Sequence, residues 1–248
     1  MVLLLVVDLD PELAALRPLG AFFVLRTIGG IPGAPSPALP TLAQVYEHRG
    51  SDVYRNPMTF RVRKVAEALR APEPRIAASI AHQGLAARLW SVALGSAVLY
   101  GRIPDLSPHR LRWDPDASAP DDLWLDGVEA LPGDAGTVTE AVLDRHLEPL
   151  TALLHAEYRL ATGLLWGNAG SALTGAARQL LERRPDVSAP VRDLTAGLLA
   201  HPLLHRTLDG TTLRRRSCCL YYRLPEGGVC GDCCFTRAPR SSPRGASG

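Results

Sequence analysis

Cysteine is missing from the first 217 residues of this 248-residue chain. Lysine is nearly missing as well: of 27 basic residues, only Lys64 is not arginine. That is a coding bias towards arginine, and it supplies many planar guanidinium donors. No apolar run reaches the ~20 residues needed to span a bilayer. The longest, Leu89 to Tyr100, suits a buried helix. The opening MVLLLVV lacks the basic flank and small-residue cleavage site of a secretory signal, and Asp8 and Asp10 interrupt it. These absences predict a soluble, cytoplasmic chain. There is no Gly-x-Gly-x-x-Gly after a strand, no P-loop and no Gly-x-Ser-x-Gly elbow, which argues against standard nicotinamide, ATP or α/β-hydrolase chemistry. The basic, aromatic-studded groove of a nucleic-acid binder is also absent, apart from Tyr221, Tyr222 and Arg223. The seven histidines are scattered, and His201 and His205 are separated by the helix-breaking Pro202.

All five cysteines are present in one place: Cys218, Cys219, Cys230, Cys233 and Cys234. A chain that avoids cysteine and then places five within 17 positions uses thiol chemistry there. The spacing is Cys-Cys, ten residues, Cys, two residues, Cys, with Cys234 left over. Leu220 to Leu224 reads as a strand, and Pro225-Glu226-Gly227-Gly228 as a turn that folds the two cysteine pairs together. Gly231 between Cys230 and Cys233 lets the backbone pass close to whatever the sulfurs hold. Neighbouring strand residues face opposite ways. Cys218 and Cys219 can therefore serve one centre only if the chain bends there. A disulfide framework fits poorly, because the count is odd and adjacent cysteines pair only with strain. Zinc knuckles usually come as paired Cys-x2-Cys. An iron–sulfur centre fits four thiolates and tolerates varied spacing. From spacing alone, iron–sulfur, structural zinc and redox thiols all stay open.

The segment RRRSCCLYYRLPEGGVCGDC resembles the C-terminal signature of the FhuF-like ferric siderophore reductases. That resemblance implies a [2Fe–2S] cluster with Cys218, Cys219, Cys230 and Cys233 as ligands and electron carrier, leaving Cys234 as a spare thiol. It implies an oxidoreductase of iron acquisition: one-electron reduction of siderophore-bound Fe(III) to Fe(II), with iron released in the cytoplasm. The siderophore expected is of hydroxamate type, and the lack of a nicotinamide motif points to a separate electron donor such as a ferredoxin. Arg214, Arg215, Arg216 and Tyr222 are the expected substrate-binding residues. Weaker similarity extends to LLWGNAGSALTGAAR (Leu164 to Arg178) and IAASIAHQGLAARLWS (Ile76 to Ser91). Two other readings stand beside it: a zinc-stabilised, non-redox siderophore- or partner-binding protein, and an iron–sulfur sensor.

Charge supports the same focus. Residues 214 to 248 hold seven arginines against Glu226 and Asp232, a local +5, while the rest carries −3. Positive charge around an anionic cluster stabilises its reduced form, and it suits an acidic donor protein.

The rest of the chain reads as mainly α: a helical domain with a few short β-hairpins and a small C-terminal iron–sulfur module. Met1 to Asp10 and Ala21 to Thr27 read as strands, Pro11 to Leu16 as a helical turn, Gly29 to Pro40 as a loop, and Leu42 to Gly50 as a short helix. Phe60 to Ala71 is helical and stops before Pro72. Pro74 to Gly101 is the strongest helix, with Ile76, Ile80, Leu85, Leu89, Val92 and Leu99 in an apolar stripe. His109 to Asp114 and Asp122 to Leu125 suggest a hairpin. Thr137 to Leu160 is helical, bent or divided at Pro149, and is followed by helices over Ala161 to Arg184 and Pro190 to Leu199. The expected organisation is an N-terminal α/β segment (1–59), a helical domain (60–208), a cluster-binding module (209–236) and a disordered tail (237–248). Trp166, Asn168, Arg88 and Trp90 are secondary candidates, the first two for contact with the module and the last two for a pocket.

Overall fold

The computed structural model describes residues 9–10, 13–28, 39–47 and 56–239. The strand read over Met1 to Asp10, the loop from Gly29, the end of the helix read to Gly50 and most of the tail lie outside the described residues. In chain order, a 3-10 turn (Ala14–Leu19) leads to β1 (Arg26–Ile28), α1 (Leu42–Glu47), α2 (Pro57–Leu69) and α3 (Pro74–Tyr100). Then come β2 (Arg102–Pro104), β3 (Leu111–Trp113), β4 (Leu123–Asp126) and β5 (Ala130–Pro132). Next are α4 (Ala135–Val138), a π-helical stretch (Thr139–Leu147), α5 (Glu148–Tyr158), α6 (Thr162–Arg183) and α7 (Ser188–Leu199). The protein is mainly helical, with small sheets beside the helices.

α3 is the axis of the fold. Pro74 starts it, where a missing N–H costs nothing, and Gly101 ends it in the left-handed region. Nearly every turn is apolar or small, and Ile76, Leu85, Leu89, Trp90, Val92 and Leu94 are buried. A helix apolar all round must be enclosed. α6, α2, α7 and the π-helical stretch pack around it. Its closest partner is α6.

The hairpin read over His109 to Leu125 is present. β3 and β4 pair antiparallel with Arg112 opposite Trp124, and β1 adds to β4 in parallel, giving the order β1-β4-β3. β2 and β5 form a separate two-stranded ribbon. Two readings need correction. The strand read over Ala21 to Thr27 begins only at Arg26, because the fully buried Arg88 claims the carbonyls before it. Its guanidinium donates to Ala21 O (3.2 Å), Phe22 O and Val24 O (2.8 Å) and pairs with Asp122 (2.8 Å), so no ladder partner is left for them. Arg88 is thus a core clamp and does not face a pocket; Trp90 is likewise buried in the core. At Pro149 the helix changes pitch and does not stop: Glu148 N–H reaches back to Leu143 O, and this widened turn precedes the proline. The second long helix read from Ala161 is present as α6, set off from α5 by Arg159 in a left-handed conformation (φ 52°).

His146 is a satisfied core histidine. One ring nitrogen lies 2.9 Å from Tyr46 Oη and the other 2.6 Å from Leu106 O. Burial pushes its pKa from 6.5 down to about 4, and burial with the nearby Arg215 pushes that of His82 down to about 3. Both are neutral when folded and titrate near 6.5 when unfolded, so the unfolded chain binds more protons below that pH. Stability is therefore fully present above pH 6.5 and falls on acidification, by about 1.4 kcal/mol per pH unit for each histidine. Urea unfolding at pH 7 and pH 4.5 should show the loss, and His146→Gln should remove about half of that slope. An unchanged slope in the variant contradicts the assignment.

Candidate metal centre

After α7 the chain has almost no regular structure, and side chains set its path. The Asp209 carboxylate accepts the N–H groups of Thr211 (3.1 Å) and Thr212 (2.9 Å), turning the chain back. Leu208 then bridges Arg215, and Arg215 N–H donates to Asp232 O (2.8 Å), bringing both ends of the cysteine segment together. The segment sits on the small face of α6. A Cβ on Gly167 would lie 2.1 Å from Ser217 Oγ, and one on Gly170 would lie 2.5 Å from Thr207 Oγ1. Glycine at these two positions is what admits the segment.

Leu220 to Leu224 is not a strand. Leu220 is left-handed (φ 69°), and Tyr221–Arg223 form a 3-10 turn. Successive bonds from Arg223 N–H to Leu220 O, Leu224 N–H to Tyr221 O and Gly227 N–H to Leu224 O roll the backbone up and leave no ladder. The bend required by the vicinal cysteines is thus supplied at Leu220. A close approach within the protein occurs at Gly227, where a Cβ would meet Tyr221 O at 2.2 Å.

These turns gather the thiols. Cys219 Sγ and Cys230 Sγ are 3.5 Å apart; Cys219 and Cys233 are buried, and Cys218, Cys230 and Cys234 are half-buried. Backbone N–H groups point at two sulfurs: Leu220 at Cys218 (3.3 Å) and Phe235 at Cys233 (3.4 Å). Burial raises the pKa of Cys218. Burial and then the nearby Cys219 raise that of Cys230, and burial pushes Cys234 up to about 11. Sulfurs this close hold their protons until a cation offsets the charge. A mononuclear zinc knuckle draws its four ligands to one point. A two-iron core spreads four thiolates over two metal positions. The soft thiol set, its N–H donors and the adjoining arginines fit such a core.

The segment is anchored from below by a buried polar network. Arg215 Nε pairs with Asp232 (3.0 Å), and Nη1 donates to Asn168 Oδ1 (2.5 Å). Asn168 Nδ2 donates to Ser79 O (2.9 Å), and Ser79 Oγ donates to Cys219 O (2.8 Å). Asn168 therefore reaches the segment through the Arg215 side chain and not its backbone, while Ser79, which the sequence did not single out, makes the backbone bond. Asp232 is depressed below the usual carboxylate range: its burial works against the charge, and Arg215 together with hydrogen bonds from Ser171 and Cys230 outweighs it. Trp166 is half-buried against the core.

Beside the thiols lies a cleft of about 860 Å³ bounded by α3, α6, α7 and the segment, with Cys230, Gly231 and Asp232 in its wall. Of the residues expected to bind substrate, Arg214 lines the cleft, donating to Cys233 O and Phe235 O (both 2.8 Å). Arg215 is turned inward, Arg216 is exposed, and Tyr222 packs edge-on against Phe235 with ring centroids 5.7 Å apart. Arg178 and Arg192, which also line the cleft, were not legible as site residues. No helix among the described residues is long and apolar enough to cross a membrane. No curated protein matches the chain. A family model does: residues 215–235 match the FhuF 2Fe-2S C-terminal domain. The folded thiol segment on α6 is thus similar to the FhuF 2Fe-2S C-terminal domain, and the likeness covers residues 215–235 of the chain.

Proposed function

We propose that the protein is a ferric siderophore reductase, taking one electron at a time from a separate donor protein and releasing Fe(II) in the cytoplasm. The observation that carries this reading is the position of Cys230, a thiol of the 2Fe-2S domain, in the wall of an open, ligand-sized cleft. Cys218, Cys219, Cys230 and Cys233 are the cluster ligands, and Cys234 is not one. When bound, a [2Fe–2S] cluster supplies one-electron transfer. The chain's own residues do the rest. Leu220 and Phe235 N–H groups hold negative charge on sulfur. The Ser79–Asn168–Arg215–Asp232 network fixes the segment against α3 and α6. Arg214 ties the segment's end to the mouth of the cleft, where the chelate docks. Substrate Fe(III) becomes Fe(II), a weaker Lewis acid for hard oxygen donors, so the chelate loosens. A ferredoxin is the natural donor, since its acidic surface complements the local positive charge.

The test is direct. Anaerobically purified protein should hold two irons and two sulfides per chain, with visible bands that bleach under dithionite. The reduced protein should then convert a ferric hydroxamate or ferric hydroxycarboxylate chelate to Fe(II), captured by a ferrous-specific chromophore. A colourless chain holding one zinc, or a coloured one that leaves every ferric chelate oxidised, overturns the proposal.

A further inference from the structure

The cleft beside Cys230 carries a charge pattern that selects among ferric chelates. Its volume, about 860 Å³, falls in the range of small-molecule sites and is concave, unlike a protein-docking face. Three arginines line it: Arg178 from α6, Arg192 from α7 and Arg214 from the 2Fe-2S domain. Arg178 and Arg192 are exposed and have no hydrogen-bond or ion-pair partner among the described residues. Arg214 spends Nε and Nη2 on the backbone carbonyls of Cys233 and Phe235, which leave its charge uncompensated. The one carboxylate among the described lining residues is Asp232, already paired with the buried Arg215. Glu182 and Asp193, the acids nearest in sequence to Arg178 and Arg192, do not line the cleft. Phe22 and Leu213, both large and exposed, give the rim an apolar edge.

Three hydroxamates cancel the charge of Fe(III), and such a chelate offers guanidinium groups only neutral carbonyls. A chelate in which carboxylates or hydroxycarboxylates replace part of that set is anionic and presents planar carboxylate oxygens. Guanidinium binds those bidentately, with strong charge-assisted bonds. We infer that the cleft is the docking site of an anionic, carboxylate-bearing ferric chelate, gripped by Arg178, Arg192 and Arg214 with its iron turned towards Cys230. This rests on the reductase reading and narrows it: neutral trihydroxamates are the poorer class.

Gallium(III) probes separate binding from turnover, because Ga(III) does not accept the electron. The oxidised, cluster-loaded full chain would be titrated with Ga(III) held by a citrate-based dihydroxamate (anionic) and by a cyclic trihydroxamate (neutral), following heat or tryptophan fluorescence. The anionic probe is expected to bind at least tenfold tighter at low salt, with the advantage shrinking as salt rises. An Arg178→Gln/Arg192→Gln double variant should lose that preference, bind the neutral probe as before and melt at the same temperature, since both side chains are exposed and have no partner among the described residues. Equal or tighter binding of the neutral probe, or a double variant that keeps the preference, overturns the inference while leaving ferric reduction standing. Failure of both probes overturns it too. If ferric turnover also fails, the reductase reading falls as well.

Discussion

Cys219→Ser is expected to yield a colourless protein that retains neither iron nor sulfide, while its helical content and melting temperature stay near those of the parent. The two outcomes separate because the thiol and the core are separate. Cys219 Sγ faces Cys230 Sγ at 3.5 Å, whereas the residue's hold on the helical body is its carbonyl, bonded by Ser79. Serine keeps that carbonyl and the side-chain size, but its hydroxyl does not ionise as a thiol does, and a soft thiolate donor is lost. Loss of one of the four proposed thiolate ligands is therefore expected to release the cluster. The same result is expected for Cys218→Ser, Cys230→Ser and Cys233→Ser. Cys234→Ser should keep its colour, since Cys234 lies outside the Cys-Cys-x10-Cys-x2-Cys spacing. Iron and sulfide analysis with visible spectra of the five variants is the check. A Cys219→Ser protein with full iron, or a Cys234→Ser protein without it, refutes the ligand assignment.

The cysteines were legible because they are anomalous in composition, and no packing had to be known to see them. The long helices were legible for a related reason: α3 and α6 carry apolar periods over 27 and 22 residues, and proline or glycine marks their limits. The short elements were not. β2 and β5 are three residues each and contain Pro104 and Pro132, so they show no alternation to read. The stretch Ala21 to Val24 has the composition of a strand, yet Arg88, more than sixty positions away, takes its carbonyls. Tertiary demand overrode local propensity there. The turn at Leu220 was hidden likewise, because a left-handed leucine has no sequence signature. Arg178 and Arg192 look like any solvated helix face. They become a site only when α6 and α7 pack side by side and the 2Fe-2S domain closes one end of the cleft between them.

Arg215→Met tests how the domain is fastened to the helices. Arg215 is almost fully buried, yet it is charged and serves two partners, Asp232 at 3.0 Å and Asn168 at 2.5 Å. Methionine fills similar volume but donates nothing. It leaves Asp232 without its cation and Asn168 Oδ1 without a donor. Breaking one side of a fully buried pair costs about 3–5 kcal/mol; Asp232 keeps 23% of its side chain exposed at the cleft, so the cost here falls at or below the low end of that range. The loss should fall on the domain and not on the helical body, since the apolar packing of α3 against α6 does not involve this side chain. Iron loss to a chelator should accelerate by two orders of magnitude or more, and protease should cut first between α7 and Cys218, while the core unfolds near its usual temperature. Arg215→Lys keeps the charge but has a single donor head in place of a planar fork, so it cannot satisfy both partners and should recover only part of the stability. An Arg215→Met/Asp232→Leu protein removes the stranded carboxylate as well. If it holds iron longer than Arg215→Met alone, the cost lies in the unpaired charge. If it is no better, the bond to Asn168, and through it Ser79 and the Cys219 carbonyl, is the contact that fastens the domain.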